Sequence, residues 1–421
     1  MKKKLKAILT NFAKENLFFR KIFRGMLNTY KHIRYKFRGI GKKIDENMVF
    51  FSSFNGKYYT DSPKAIYLYM KNNPEFKNYK FVWAFIEPEN YKELEDERTI
   101  LVKQNTKKYE EYLIKSKYWV INHRIYDYIY PKKEQVYVQC WHGTPLKRLG
   151  FDLQKADNAL NTLNEMQNKY LIEAKKLNYM VSPSKFTSEK LRSAFNLKKV
   201  HKENNIIEQG YPRNDFLYNY TEEDVKKIKQ KLGIDGINKK IILYAPTWRD
   251  NQHQSGVGYT YKTEVDFDKL QKELQDEYII LFRAHYFVSN SFDFEKYKGF
   301  IYNVSDIDDV NETYIVSDIL ITDYSSVFFD YANLKRPMIF YMYDFEEYKD
   351  EMRGFYIDIN ELPGEITKTE DELINAIRHT KNFEYNKKYK KFNDKFNYLD
   401  DGQATGRTVE KIIGGKIWKE F

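Results

Sequence analysis

The 421-residue chain carries a single cysteine, Cys140, so no internal disulfide can form and nothing points to an oxidising compartment. No stretch approaches the roughly 18 uninterrupted apolar residues that span a bilayer. The N-terminus opens like a secretory signal with MKKKLK, but Asn11, Lys14, Glu15 and Arg20 break the run that follows and no small-residue cleavage site closes it. Also absent are the Walker loop GxxxxGK(S/T) and a GxGxxG turn opening a helix. Asp266 with Asp268 and Asp306 with Asp308 form Asp-x-Asp pairs, but both lie where helices or loops begin. Helix capping accounts for them, and neither a metal nor a cofactor is implied. No RNA- or DNA-binding signature accompanies the 17% aromatic content, so a nucleic-acid partner is not expected.

What is present is positive charge. Lys and Arg total 71 against 60 acidic residues, a net +11 that favours an anionic partner. Residues 1–43 hold fourteen Lys or Arg and one acid, Glu15, with Leu5, Ile8, Phe12, Phe19, Ile22, Phe23, Met26, Leu27 and Tyr30 near helical spacing. This basic amphipathic segment is expected to lie on an anionic membrane surface, each basic residue contributing about 1 kcal/mol. The alternative is a terminal helix docked on the protein's own core.

The length favours two domains. From residue 48 the chain alternates strand-like runs (MVFFSS, YKFVWAFI, YWVIN, VYVQCW, YMVSP, IIEQG) with helical stretches at 63–72, 106–116 and 153–176. The alternation pauses over the charged helix and glycines of 220–240. It restarts with IILYAPTW, YIILFRAH, DILITDYSS and PMIFYMYD, with helices near 309–316, 325–334 and 369–380. Strand, helix, strand at this spacing implies parallel sheets covered on both faces. The expectation is an α/β protein of two doubly wound domains, 44–235 and 236–421, facing each other behind the basic N-terminal segment. The Lys/Tyr/Asn-rich stretch 381–398 reads as a solvated helix.

In open α/β sheets ligands bind beyond the carboxyl ends of the strands, and that is where the chemically useful residues fall. His142 follows one strand within WHGTP, where Gly143 leaves room for a ligand and Pro145 stiffens the turn. An imidazole there can take a proton from a hydroxyl near neutral pH. Pro246 and Thr247 follow a second strand; Arg283 and His285 end a third, placed to neutralise a diphosphate; Ser325 and Ser326 open a helix after a fourth. Arg213 in GYPRND adds a fork of donors suited to phosphate oxygens. Cys140 shares a strand face with His142, but an inert buried thiol is favoured over a nucleophile.

CWHGTPLKRLGFD, SPSKFTSEKLRSAFN, GYPRNDFL, YAPTWRD, FRAH and ITDYSSVFFDYANLKRPMIFYMYD, in that order, resemble the CDP-glycerol glycerophosphotransferase family of teichoic acid primases and polymerases. The resemblance runs from about residue 48 to 400. It implies a GT-B-type pair of Rossmann-like domains, bound peripherally to the cytoplasmic side of the cell membrane. The implied reaction moves glycerol phosphate from CDP-glycerol to a hydroxyl of a lipid-linked polyprenyl-diphosphate saccharide acceptor, releasing CMP. By motif match, His142 is the base and His285 a second catalytic residue. Trp141, Gly143, Thr144, Pro145, Arg213, Pro246, Thr247, Arg283, Ser325, Ser326 and Asp330 are implied to bind CDP-glycerol. CDP-ribitol as donor, or sugar transfer from a nucleotide sugar by a GT-B glycosyltransferase, stand as alternatives.

Overall fold

Runs of β-branched and aromatic residues become strands here because both of their faces find cover. The computed structural model describes residues 17–155, 162–247, 253–254, 258–259, 265–284, 292–345 and 354–413. Seven strands, β1 (Asp45–Ser52), β2 (Lys80–Phe85), β3 (Thr99–Lys103), β4 (Ser116–Ile121), β5 (Val136–Gln139), β6 (Tyr179–Ser182) and β7 (Ile206–Glu208), form one sheet in the order β3-β2-β1-β4-β5-β6-β7. Strand β8 (Lys240–Ala245) starts the second half, and β9 (His253–Gln254) and β10 (Gly258–Tyr259) form a small antiparallel pair. With β11 (Tyr278–Phe282), β12 (Ile301–Asn303), β13 (Ile319–Thr322), β14 (Met338–Tyr341) and β15 (Glu365–Thr367), β8 builds a six-stranded sheet ordered β12-β11-β8-β13-β14-β15. Every pairing within the two large sheets is parallel. Numbered from its own first strand, each sheet begins 3-2-1-4-5-6, the Rossmann order.

Alternation sorts the side chains. In β1, Val49 and Phe51 join Ile66, Met70 and Trp83 on one face, while Phe50 joins Val82, Leu113 and Trp119 on the other. Strand β8 repeats the arrangement, with Ile241 and Leu243 on one face and Ile242 and Tyr244 on the other. The covering helices include α1 (Leu17–Gly39), α2 (Asp61–Asn72), α3 (Lys107–Lys115), α4 (Leu163–Lys176), α5 (Lys185–Ala194) and α6 (Glu222–Lys231). After them come α7 (Phe267–Leu274), α8 (Val310–Val316), α9 (Val327–Tyr331), α10 (Glu370–His379), α11 (Lys387–Phe396) and α12 (Ala404–Ile413). Local sequence starts them: Thr162 with Glu165, and Thr221 with Asp224, close capping boxes at α4 and α6. Asp266 caps α7 and Asp309 caps α8.

Three features depart from the sequence expectation. The edge strands β3, β12 and β15 carry no long apolar run, and the alternation in sequence did not reveal them. The chain changes domain earlier than residue 235: Leu217, Ile228 and Ile234 already pack in the core of the second sheet. It also returns, because α12 lays Val409 and Ile413 into the first domain's core, so 236–421 is not one uninterrupted unit. Helix α11 likewise does more than meet solvent, burying Tyr389, Phe392 and Phe396.

Candidate active site

Strand β5 ends at Gln139, and the next four residues turn its direction into the crevice between the sheets. Cys140 stays in the first domain's core, its N–H donating to Ile121 O at 2.8 Å. Burial pushes its thiol well above the usual range, which leaves it inert. Trp141 adopts a left-handed φ of 51°, its N–H bonded to Gln139 Oε1 at 2.9 Å and its ring edge-on to Phe195 at 5.2 Å. The reversal swings His142 out of the sheet, stacked on Trp141 at 4.3 Å with Phe54 5.7 Å away.

The two nitrogens of His142 are not equivalent. Nδ1 lies 2.9 Å from Asn122 O, and a carbonyl can only accept, so Nδ1 carries the proton and Nε2 keeps its lone pair. The ring opens to solvent on the crevice side and is enclosed by protein elsewhere. That enclosure lowers its pKa below the ordinary imidazole value, against the opposing pull of the Asn122 carbonyl and the Asp61 carboxylate. The shift favours the uncharged form of the ring. Asn122, Phe54 and Asp61 belong to no motif, and sequence reasoning missed them.

Arg213 and Asp330, both expected at the donor site, pair with each other across the domain junction. Arg213 is 9% exposed; its Nη1 donates to Asp61 Oδ2 at 3.2 Å and to His142 O at 2.9 Å, and its Nη2 pairs closely with Asp330. Asp330 also accepts from Asn214 Nδ2 at 3.2 Å. The guanidinium thus joins α2 of the first domain to α9 of the second through its two terminal nitrogens, while its buried Nε has no hydrogen-bond partner among the described residues. Gly143 belongs to this junction: φ is 143°, and an added Cβ would lie 3.0 Å from Arg213 Nη2 and 3.6 Å from Ser326 Oγ.

The crevice in front of His142 encloses about 250 Å³, lined by residues 141–147 and Leu149 from one domain and Thr247, Tyr324, Ser325 and Ser326 from the other. Asp323 Oδ1 accepts the N–H groups of Thr247 at 2.8 Å and Tyr324 at 2.6 Å, tying the two loops of the β8/β13 switch point together. Ser326 stands at the N-cap of α9 with its hydroxyl making no capping bond. Pro246 is half-buried beside Thr247, and Thr144 is buried with its hydroxyl 3.4 Å from that of Thr187. Arg283 is directed to the backbone, donating through Nη1 to Val304 O at 2.9 Å and Ile307 O at 2.7 Å. His285 lies outside the described residues. Beyond Pro145, Leu146 enters the second domain's core, and Leu146 O and Arg148 N bond Tyr356 N and Gly354 O at 2.8 and 3.1 Å, so the loop bearing His142 clasps the opposite domain.

A crevice between the carboxyl ends of two Rossmann-type sheets, with a C-terminal helix crossing back, is the architecture of a GT-B-type transferase. Residues 34–414 match the family described as CDP-Glycerol:Poly(glycerophosphate) glycerophosphotransferase. A teichoic acid poly(glycerol phosphate) polymerase of Bacillus spizizenii is 40% identical over 372 residues, 88% of this chain and 93% of that protein. A teichoic acid glycerol-phosphate transferase of Staphylococcus aureus is 36% identical over 384 residues, 90% and 95% of the two chains. The solved wall teichoic acid polymerase TagF superposes with a TM-score of 0.82 at 36% identity, covering 94% of this chain and 97% of its own. A variant of it has been solved after a soak with CDPG. The chain belongs to the CDP-glycerol:poly(glycerophosphate) glycerophosphotransferase family and is an enzyme of that class.

Proposed function

We propose that this enzyme transfers glycerol phosphate from CDP-glycerol to a terminal hydroxyl of a lipid-linked teichoic acid acceptor at the cytoplasmic membrane surface, with His142 as the base. The acceptor oxygen attacks the β-phosphorus as its proton passes to His142 Nε2. The bond from that phosphorus to the bridging oxygen breaks, and CMP leaves with the electron pair. The donor's phosphates lie against Thr247, Ser325 and Ser326, whose hydroxyls and neighbouring N–H groups stabilise the charge that develops on CMP. The observation that carries this reading is the imidazole whose Nδ1 lies 2.9 Å from Asn122 O, in a crevice whose other wall carries those serines. By motif match, His285 is assigned the positive charge that meets the departing CMP in this reading. Membrane attachment is assigned to α1: Phe23, Met26, Tyr30 and Phe37 are 54–68% exposed, beside Lys21, Arg24 and Lys31. Among the described residues no helix is long and apolar enough to cross a membrane.

The test is CMP release from purified protein given CDP-glycerol or CDP-ribitol with a lipid-linked acceptor, and the same assay on His142→Ala. CMP from CDP-glycerol, lost by at least about 100-fold in the variant, is expected. Near-normal release by the variant removes the base assignment, preference for CDP-ribitol changes the donor, and release of a nucleoside diphosphate from a nucleotide sugar replaces phosphotransfer by glycosyl transfer.

A further inference from the structure

Behind the floor of the crevice sits a buried polar cluster that the reaction as described leaves unused. Gln139, the last residue of β5, and Glu173 on α4 are both fully or almost fully buried. The Gln139 amide touches both turns that make the catalytic histidine. Its Oε1 accepts the Trp141 N–H at 2.9 Å, holding the left-handed residue that aims His142. Its Nε2 donates to His123 O at 2.9 Å, in the turn whose preceding carbonyl, Asn122 O, receives His142 Nδ1–H. One side chain thus spans the two backbone segments that the Asn122–His142 bond connects.

Glu173 fixes which way that amide points. Its Oε1 accepts from Gln139 Nε2 at 2.9 Å and from the Tyr137 hydroxyl in a close contact, and a carboxylate cannot bond the carbonyl end of an amide. With the amide reversed, its oxygen would face Glu173 and its NH2 would face the Trp141 N–H, two repulsions in a dry site. A buried carboxylate is costly unless it is well bonded. Burial raises the Glu173 pKa above the ordinary carboxylate range, and Lys176, one turn along α4 and anchored to Tyr126 O at 2.8 Å, opposes that rise together with the Tyr137 and Gln139 bonds. An apolar pair would fill the same space without bonding either turn.

We infer that Gln139, oriented by Glu173, is a positioning residue for the transfer reaction, setting the tautomer and attitude of His142 through Trp141 N–H and His123 C=O. This rests on the reading of His142 as the base. The charged and titratable groups around His142 are Asp61 on α2, His123 and Arg124 after β4, and Arg213 after β7; none of them is altered by the substitutions that follow.

The experiment uses the full chain with Gln139→Met, Glu173→Met, Glu173→Gln and His142→Ala, assayed with CDP-glycerol and acceptor across pH, with thermal unfolding followed for each. Gln139→Met is expected to lower kcat about 10- to 100-fold at unchanged KM for CDP-glycerol. It should also move the acid limb of kcat/KM to lower pH, because the Asn122 carbonyl that supports protonation of His142 is no longer held in register. Glu173→Met, which leaves Gln139 in place, should shift both quantities in the same direction by less, and Glu173→Gln, which keeps an acceptor oxygen, should stay near the parent enzyme. A purely structural role predicts a lower active fraction with an unmoved acid limb, and that result, in Gln139→Met or, if it does not fold, in Glu173→Met, overturns the inference. His142→Ala separates the two claims: if it retains turnover the base assignment itself fails, whereas its inactivity beside an unaffected Gln139→Met sinks the positioning role alone.

Discussion

At the scale of single residues, the site depends on which partner each charged side chain meets. Arg213 is the clearest case, since the same guanidinium could hold a diphosphate or bind carboxylates together. Asp61 and Asp330 face it from opposite domains and engage both of its terminal nitrogens, while its buried Nε has no hydrogen-bond partner among the described residues. Replacing it by Met would leave two buried carboxylates without their cation, a loss expected to cost about 3–5 kcal/mol. Urea unfolding of Arg213→Met measures this directly. A variant as stable as the parent but unable to bind CDP-glycerol would restore Arg213 as a donor ligand.

At the scale of elements, α1 has two different faces. One face is docked: Tyr35 is buried, His32 Nδ1 donates to Tyr128 O at 2.9 Å, and Arg34 and Arg38 both pair with Glu110. The other presents Phe23, Met26, Tyr30 and Phe37 to solvent. The docked reading holds for one side of the helix, and the proposed membrane contact falls to the other, exposed side. Deleting residues 1–43 would strip Tyr35 from the core as well as the exposed stripe, so substitution is the cleaner probe. Met26→Glu with Phe37→Glu is expected to reduce sedimentation with anionic vesicles at least about tenfold while turnover on a soluble acceptor analogue is kept. Undiminished vesicle binding by the double variant would take the anchoring role away from α1.

Legibility also differs from element to element. The central strands announce themselves because a sheet buried on both faces demands near-continuous apolar runs, as in MVFFSS and YIILFR. The edge strands β3, β12 and β15 are paired on one side only and are short, so TILVK, IYN and EIT give too little signal. His142 was legible because it ends a strand within a compact motif. Asn122, Gln139 and Glu173 were not, because their importance comes from bonds to backbone atoms distant in sequence, and a buried Gln or Glu has no distinctive spacing.

At the scale of the whole molecule, the two domains are stitched at several points. Besides Arg213, Lys64 donates to Asp309 at 2.7 Å, and Asp308 accepts from Tyr59 N at 3.0 Å and Tyr91 Oη at 2.7 Å. Helix α12 crosses from the second domain to pack on α2, with Asp215 accepting its first N–H groups from Ala404 and Thr405 at 2.9 and 2.7 Å. Such coupling predicts one cooperative unfolding transition in calorimetry, although each domain has its own core. Removing residues 404–421 takes away Val409 and Ile413 and uncovers their partners in the first domain's core, and is expected to lower that domain's midpoint and split the transition in two. A single transition at the parental temperature would show that α12 does not couple the halves.

The sequence by itself determined the α/β class, the doubling of the Rossmann pattern, the basic N-terminal helix and the strand-end motifs, because these follow from periodicity and from residue types only a few positions apart. The tertiary structure alone decided that Arg213 meets two carboxylates, that His142 donates through Nδ1 and leaves Nε2 its lone pair, and that α12 packs into the first domain. Those outcomes depend on which groups distant in the chain are brought within hydrogen-bonding distance, at 2.9 Å for Asn122 O and His142 Nδ1. Local pattern carries no record of that proximity, which arises only when two sheets fold and face each other.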